Sequence, residues 1–581
     1  MLRTKIICTI GPAVDSPEMM RKLIENGMDV ARMNFSHGTH EEHLTRLKMF
    51  RAACAKLDAH IPALMDTKGP EIRLGRFSKG PVELQVGQEF TLTTKPVDCD
   101  ETRASVSYAG LPQDIAVGGV ILIDDGLVEL EIKKVSGEDI LCVARNNGML
   151  SDRKGVNVPG ASLRLPSFTE QDKKDILFAI ENDYDFIAVS FVRKKEDVNE
   201  IVRFLGENGG EKIKVIAKIE SRQGVENLDE IIRVSDGIMV ARGDLGVEIP
   251  VEQIPIMQKD MIQRCYRASK PVITATQMLD SMMRNPRPTR AEVTDIANAV
   301  YDGTSAIMLS GETAAGKYPI DSLATMRRIA QATEDSIDYW QGFRNSASVG
   351  NTSSITNAIS HATCTTAMDL NAAAIVAVTT SGGTARRISA FRPSCPIVAA
   401  ATNEKARRQL RMSWGVFPVL SDVVTATDDL FTSSADAAQR SGLAKDGDII
   451  VVTAGVPLDT SGTTNMLKVQ MLGDMLCRGT GLGAGKVMGT LCVLCKKEAK
   501  DMSFSRRNIL VVAEITDEVL PMIRQSSALI VEGADKDGKA ATLAMALGIP
   551  VITECEGAMR MLKSGTVVTV DADTGMVQCT V

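Results

Sequence analysis

At the start of the chain, apolar positions come in short unbroken runs separated by segments in which they recur at helical spacing. The runs at 5–10, 30–34 and 61–66 are strand candidates. Ser16-Pro17-Glu18 opens the first intervening helix as N-cap and first turn, and that helix is expected to end near Gly27. Thr39 and Glu42 have the spacing of a capping box for the second. Strand, helix, strand, helix, strand implies parallel pairing, because a parallel neighbour needs a crossover. From about 69 to 165 the pattern changes to short alternating runs (82–84, 90–92, 120–123, 127–132, 140–143) broken by Gly, Asp and Asn. This predicts an inserted all-β domain of about a hundred residues. After Pro166 the runs at 186–190, 214–219, 237–240, 271–274 and 306–309 alternate with helical segments. Added to the first three they make eight strands, enough to close a (β/α)8 TIM barrel with an insertion after the third.

Polar residues end several of these runs: Arg32, Asn34, Asp66, Lys218, Glu220, Asp244 and Thr276. Closure into a barrel makes them converge at its C-terminal face, where the chemistry of this architecture sits. Two carboxylates beside one lysine at a strand end either form a plain ion pair or bind a divalent ion bridged to an anionic substrate. His37, His40 and His43 raise the possibility of a metal site, but Glu41 and Glu42 beside them read as a solvated first turn.

Residues 345–354 form a Ser/Asn-rich linker, and 355–473 read as a second α/β unit with strands at 375–378, 397–400, 416–418 and 449–452. Its loop Thr379-Thr380-Ser381-Gly382-Gly383-Thr384 follows a strand and precedes a helix. It is either a phosphate nest or a tight turn. Ser461-Gly462-Thr463-Thr464-Asn465 is a second candidate nest. The run Gly479-Thr480-Gly481-Leu482-Gly483-Ala484-Gly485 resembles a nucleotide loop only loosely and reads as a flexible linker. Beyond it, 486–581 predict a β-rich extra domain with strands at 491–493, 509–512, 529–531, 551–553 and 567–570 and one helix over 539–547.

With 581 residues the chain exceeds what one core serves. A net charge of −7 argues against nucleic acid or an anionic membrane as partner. No signal peptide or membrane-length apolar run is evident, so the cytoplasm is expected. The 12 cysteines are dispersed among apolar runs, and Cys492-x-x-Cys495, the one close pair, has no neighbouring His to suggest a metal.

Six motifs together resemble the pyruvate kinase family closely. They are Thr4-Lys5-Ile6-Ile7-Cys8-Thr9-Ile10-Gly11-Pro12, Ala31-Arg32-Met33-Asn34-Phe35-Ser36-His37-Gly38, Asp66-Thr67-Lys68-Gly69-Pro70-Glu71-Ile72-Arg73, Ala217-Lys218-Ile219-Glu220, Ala241-Arg242-Gly243-Asp244-Leu245-Gly246 and Thr274-Ala275-Thr276-Gln277-Met278-Leu279. The resemblance runs from residue 1 to about 473. It implies a catalytic barrel (1–68 and 166–345), an inserted β-barrel lid (69–165), a C-terminal α/β regulatory domain (355–473) and a homotetramer. It also implies phosphoryl transfer from phosphoenolpyruvate to ADP, giving pyruvate and ATP.

Site roles follow residue by residue. Lys218, Thr276 and Arg32 are the implied catalytic residues, with Gly243 and Asp244 also at substrate. Glu220 and Asp244 are hard oxygen ligands for Mg²⁺ or Mn²⁺. The resemblance places K⁺ at Asn34, Ser36, Asp66 and Thr67. Glu71 marks the K⁺-dependent pattern, in which no Lys replaces the ion's charge. Asn34, His37, Arg73 and Lys154 are implied on the nucleotide side, where Arg73 can clamp phosphate by a forked hydrogen bond. Thr379, Thr380, Ser381, Gly382 and Thr384 would hold a phosphorylated allosteric effector. Arg242 has no implied substrate role and reads as a loop-bracing ion pair.

The tail segments Asp537-Gly538-Lys539-Ala540-Ala541 and Ala546-Leu547-Gly548-Ile549-Pro550 resemble the swivelling domain of phosphoenolpyruvate-utilising enzymes. Lys539 stands where the catalytic versions carry the phosphohistidine, and no His follows His361. A structural or interfacial tail is therefore expected. The rival readings are a phosphotransferase working through phosphohistidine and a non-catalytic metabolite sensor.

Overall fold

The barrel strands are β1 (Lys5–Thr9), β2 (Val30–Asn34), β3 (Ala63–Asp66), β4 (Phe186–Val189), β5 (Lys214–Ile219), β6 (Gly237–Ala241), β7 (Val272–Ala275) and β8 (Ala306–Leu309). In this computed structural model, which describes residues 1–161, 163–166, 168–346, 354–424, 426–456, 464–473, 475–494, 508–535 and 537–579, they pair in chain order and close with β8 beside β1. Every pairing is parallel. The strands read as continuous apolar runs because both faces are covered. One face meets the helices; the other fills the barrel with Ile7, Val30, Leu64, Phe186, Ile216, Met239, Ile273 and Ala306.

Strand geometry then decides where the polar residues go. Side chains two apart share a face. The position after Val30 on the interior face is Arg32, after Leu64 it is Asp66, and after Ile216 it is Lys218. The apolar plug and the polar mouth are successive steps along the same strands. The helix starts agree with the sequence. Ser16 Oγ accepts from Met19 N at 3.3 Å, and Thr39 and Glu42 form the reciprocal capping box.

The insertion between β3 and β4 folds as a six-stranded and a two-stranded sheet around one aliphatic core. Barrel and insertion belong to one compact unit, Met1–His361 with Ala377–Val423.

A five-stranded sheet follows, ordered Val416–Leu420, Ile397–Ala401, Ala374–Thr379, Ile449–Ala454 and Met466–Met471. The last strand has no counterpart in the sequence reading. It pairs antiparallel at the edge and is half exposed, so it lacks the buried run that marks the others.

The tail forms an eight-stranded sheet ordered Met475–Arg478, Met576–Cys579, Val567–Asp571, Lys486–Val493, Asn508–Val512, Ala528–Val531, Val551–Thr553 and Thr480–Leu482. This corrects the linker reading of 479–485, since that run contains a strand and the sheet begins at Met475, ahead of residue 486. Its glycines serve close backbone approach. A Cβ at Gly479 would stand 2.1 Å from the Thr553 carbonyl oxygen, and one at Gly481 1.8 Å from that of Ala572. Cys477 and Cys555 lie side by side as buried free thiols. Cys495 and Ser461–Thr463 fall outside the described residues.

Candidate active site

Four strands bring their ends together around Asp66. Arg32 Nε donates to Asp66 Oδ2 at 2.7 Å, and Arg32 Nη1 donates to Thr9 Oγ1 at 2.8 Å. Lys218 Nζ lies 3.0 Å from Asp66 Oδ1 and 2.8 Å from Glu220 Oε1, and it donates to Ser190 Oγ at 2.9 Å. Glu220 Oε2 accepts the backbone N–H of Phe191.

The electrostatics follow from burial and these partners. Burial pushes the Asp66 carboxyl up, but Arg32 and Lys218 outweigh it and hold it below the usual carboxylate range. Burial pulls the Lys218 ammonium down, yet Asp66, Glu220 and Asp244 outweigh that and keep it charged well past its ordinary value. Glu220 goes the other way. Burial, reinforced by Asp244, raises it to about 7 despite Lys218. Asp244 is raised too, by burial first and then by Asp125 and Asp66. In an isolated ion pair the carboxylate falls as the lysine rises. Both rise here because burial dominates at Glu220, with Asp244 adding to it, while Asp66 shares Lys218, so Glu220 and Asp244 form a buried carboxylate pair. That donor chemistry fits a hard divalent cation. Among the described residues no three His, Cys, Asp or Glu side chains form a group that could hold a metal ion by themselves.

Thr276 follows β7 in the left-handed region (φ +70°). Its Oγ1 accepts from Gly243 N at 2.8 Å and donates to Ala275 O at 2.6 Å, which joins the β6 and β7 exits. Arg242 is an ion-pair brace, as the sequence suggested, with Nη1 2.6 Å from Asp295 Oδ1.

The residues assigned to K⁺ are partly assembled. Asn34 and Asp66 are in register across β2 and β3, and Asn34 Oδ1 accepts from Ser36 N at 3.1 Å. Thr67 Oγ1 accepts from Ser190 N at 3.1 Å. Of the residues expected on the nucleotide side, Arg73 pairs through Nη2 with Glu71 Oε2 at 2.6 Å, and Lys154 through Nζ with Asp124 Oδ2 at 2.8 Å. All four line a cleft of about 580 Å³ between insertion and barrel that reaches Asp244. The histidines diverge. His40 Nε2 is 2.6 Å from Asp175 Oδ1, and His43 stacks on Phe35 with its Nε2 2.9 Å from the His37 carbonyl oxygen.

In the 379–384 loop, Thr379 Oγ1 accepts from Gly382 N at 2.9 Å. Thr384 Oγ1 lies 2.8 Å from Thr464 Oγ1. Gly382 is left-handed (φ +84°) and precedes the helix Gly383–Ala390. The Thr379 hydroxyl thus serves the turn itself and that of Thr384 pairs with Thr464, while Thr380 and Ser381 are exposed.

Sequence reasoning missed Ser190 and Thr9. Both lie two residues beyond an interior position, Ala188 and Ile7, so the period-two rule that places Lys218 would have found them.

Comparison with known proteins bears on all of this. The family described as "Pyruvate kinase, barrel domain" matches residues 1–323, "Pyruvate kinase, alpha/beta domain" matches 357–470, and "PEP-utilising enzyme, mobile domain" matches 504–575. A pyruvate kinase of Sporosarcina psychrophila is 45% identical over 582 residues, covering 99% of each chain. One from Geobacillus stearothermophilus is 44% identical, covering 99% of this chain and 98% of its own. The crystal structure of a pyruvate kinase from Cryptosporidium parvum superposes with a TM-score of 0.77 at 40% identity, covering 81% of this chain and 96% of that one.

Proposed function

The chain belongs to the pyruvate kinase family and transfers phosphoryl from phosphoenolpyruvate to ADP, giving pyruvate and ATP, and from that premise we propose how its own residues perform the transfer. The observation that carries the reading is the placement of Lys218, held by Asp66, Glu220 and Ser190 at the barrel mouth. Phosphoryl transfer needs charge neutralisation and in-line positioning rather than a protein nucleophile. Arg32, oriented by Asp66 and Thr9, binds the phosphoryl group of phosphoenolpyruvate. Lys218 stabilises the phosphoryl in flight and then the enolate oxygen left behind. Thr276 orders the water that delivers a proton to the enolate carbon, whose electron pair forms the new C–H bond of pyruvate. Glu220 and Asp244 would hold Mg²⁺ or Mn²⁺, which when bound would supply charge neutralisation for the phosphoryl oxygens. Asn34, Ser36, Asp66 and Thr67 would hold K⁺. Arg73, Lys154, His37 and Asn34 receive the nucleotide, Arg73 and Lys154 from the cleft wall.

The remaining assignments rest on the family pattern. Thr379, Thr380, Ser381, Gly382 and Thr384 receive a phosphorylated effector, the chain works as a homotetramer, and its place is the cytoplasm. No helix among the described residues is long and apolar enough to cross a membrane. Effector coupling requires tighter binding to the active state of the tetramer.

The tail is a structural or interfacial domain rather than a phosphocarrier. It contains no His. Asp535 also places its carboxylate at the start of the helix Lys539–Leu547, accepting from Ala540 N and Ala541 N, each at 3.0 Å.

Pyruvate formation from phosphoenolpyruvate, coupled to lactate dehydrogenase, tests the reading. Turnover should require ADP and Mg²⁺, and Lys218→Met should abolish it with the fold intact. Wild-type rates in that variant would remove Lys218 from the mechanism, and phosphoenolpyruvate binding without turnover in the wild type would leave a sensor.

A further inference from the structure

Two consecutive non-glycine residues, Thr276 and Gln277, leave β7 with positive φ, +70° and +54°. For a β-branched residue this is an outlier conformation, and it persists only where the surroundings over-determine it. Arg242 supplies that surrounding. Its Nη2 donates to the Thr276 carbonyl oxygen at 2.7 Å and its Nε to the Ala275 carbonyl oxygen at 3.2 Å. Its Nη1 is fixed by Asp295, on the helix Arg290–Tyr301. The Ala275 carbonyl that takes Nε also takes the Thr276 hydroxyl proton. One guanidinium therefore sets the peptide planes on both sides of the Thr276 Cα and the acceptor that orients its hydroxyl.

We propose that Arg242 is the positioning residue for Thr276, holding the β7 exit in the left-handed turn that orients the hydroxyl toward the proton-delivering water. The inference rests on the role given to Thr276 above. Arg242 directly precedes Gly243, whose N–H is the other hydrogen bond to the Thr276 hydroxyl, and Asp244, a proposed metal ligand. The same short segment thus aligns the metal side and the proton side of the site. Only a planar fork with several fixed N–H groups reaches two successive carbonyls and a carboxylate together, and the point charge of lysine does not. Asp295 orients that fork.

A double-mutant cycle of Arg242→Lys and Thr276→Ala in the full-length enzyme tests this. The readouts are kcat, KM for phosphoenolpyruvate, and exchange of the pyruvate methyl hydrogens with D2O by NMR, which reports the protonation step in reverse. Arg242→Lys should lower kcat and the exchange rate by about tenfold or more with little change in KM. In the Thr276→Ala background it should add less than about twofold, because residues acting as a unit are non-additive. The same factor in both backgrounds would overturn the proposal, as would a loss confined to KM. Near-wild-type exchange and turnover in Thr276→Ala alone would instead defeat the role of Thr276, and the inference with it. Asp295→Asn, which frees one arm of the guanidinium, should give a smaller loss of the same pattern. It serves the same cycle should Arg242→Lys fail to fold.

Discussion

Asp66 holds Lys218 by an ion pair of 3.0 Å in which the carboxylate side chain is 0% exposed and the lysine 12%. The same carboxylate orients Arg32, so one anion sets both cations of the site.

Asp66→Asn should therefore abolish turnover and also destabilise the barrel. Breaking a buried pair typically costs about 3–5 kcal/mol, because the partner charge stays behind. Thermal melts and steady-state rates on the same preparation check both. The pH sign follows from the depressed carboxyl. Its stabilisation is complete above the unfolded carboxylate range and is lost as pH falls through the folded value. Acid melts of wild type and Asp66→Asn should accordingly converge at low pH.

Lys5 gives the opposite pH signature at the other end of the barrel. It is buried at the start of β1, where its Nζ donates to the Val416 carbonyl oxygen at 2.9 Å. Burial lowers its pKa to about 8, against the pull of Asp29. The folded protein releases this proton before the unfolded chain does, so the group penalises stability below about 8 and the penalty fades as pH rises toward the ordinary lysine value. Lys5→Met should raise stability near neutral pH by roughly 1–3 kcal/mol, given ~1.4 kcal/mol per pKa unit. The advantage should shrink in melts at alkaline pH. An equal gain at every pH would mean that packing, not charge, is responsible.

The family pattern links monovalent-ion dependence to Glu71. Turnover should fall sharply in buffer free of K⁺, and Glu71→Lys should remove the K⁺ requirement by placing an ammonium where the ion's charge acts. The variant should still run below wild type, because Glu71 also holds Arg73 at 2.6 Å. Full wild-type activity without K⁺ would end the assignment of Asn34, Ser36, Asp66 and Thr67 to that ion.

Divalent-ion dependence separates the two carboxylates from Lys218. Glu220→Gln and Asp244→Asn should each weaken Mn²⁺ binding, followed by electron paramagnetic resonance, by about ten- to a hundredfold or more. Lys218→Met should bind Mn²⁺ and lose only turnover. Unchanged Mn²⁺ affinity in both carboxylate variants would relocate the metal.

The barrel was legible because its strands are buried on both faces. Ile6-Ile7-Cys8 or Ile238-Met239-Val240 cannot be mistaken for an amphipathic surface. The convergence of polar residues at the barrel mouth was legible for the same reason, since Arg32, Asp66 and Lys218 interrupt or end apolar runs at interior positions. Other features were not. Met466–Met471 is half exposed and carries no run. The contact of Arg242 with Thr276, 34 residues on, depends on the neighbouring placement of β6 and β7 and on a positive φ, which no local pattern encodes. Glycine-rich 479–485 was misread because glycine marks both loose chain and tight approach, and the atoms that decide between them, the carbonyls of Thr553 and Ala572, are distant in sequence.

That tight approach has a practical consequence for anyone dissecting the enzyme. The strands Met475–Arg478 and Thr480–Leu482 are first and last in the order of the tail sheet, and Gly479 alone joins them, so the sheet curls until its two end strands are neighbours along the chain. Severing it would strand the first ladder on the catalytic fragment and leave a raw margin of unpaired backbone on the tail, an invitation to edge-to-edge aggregation. A tailless enzyme has to stop between Gly473 and Met475, and an isolated tail has to start there.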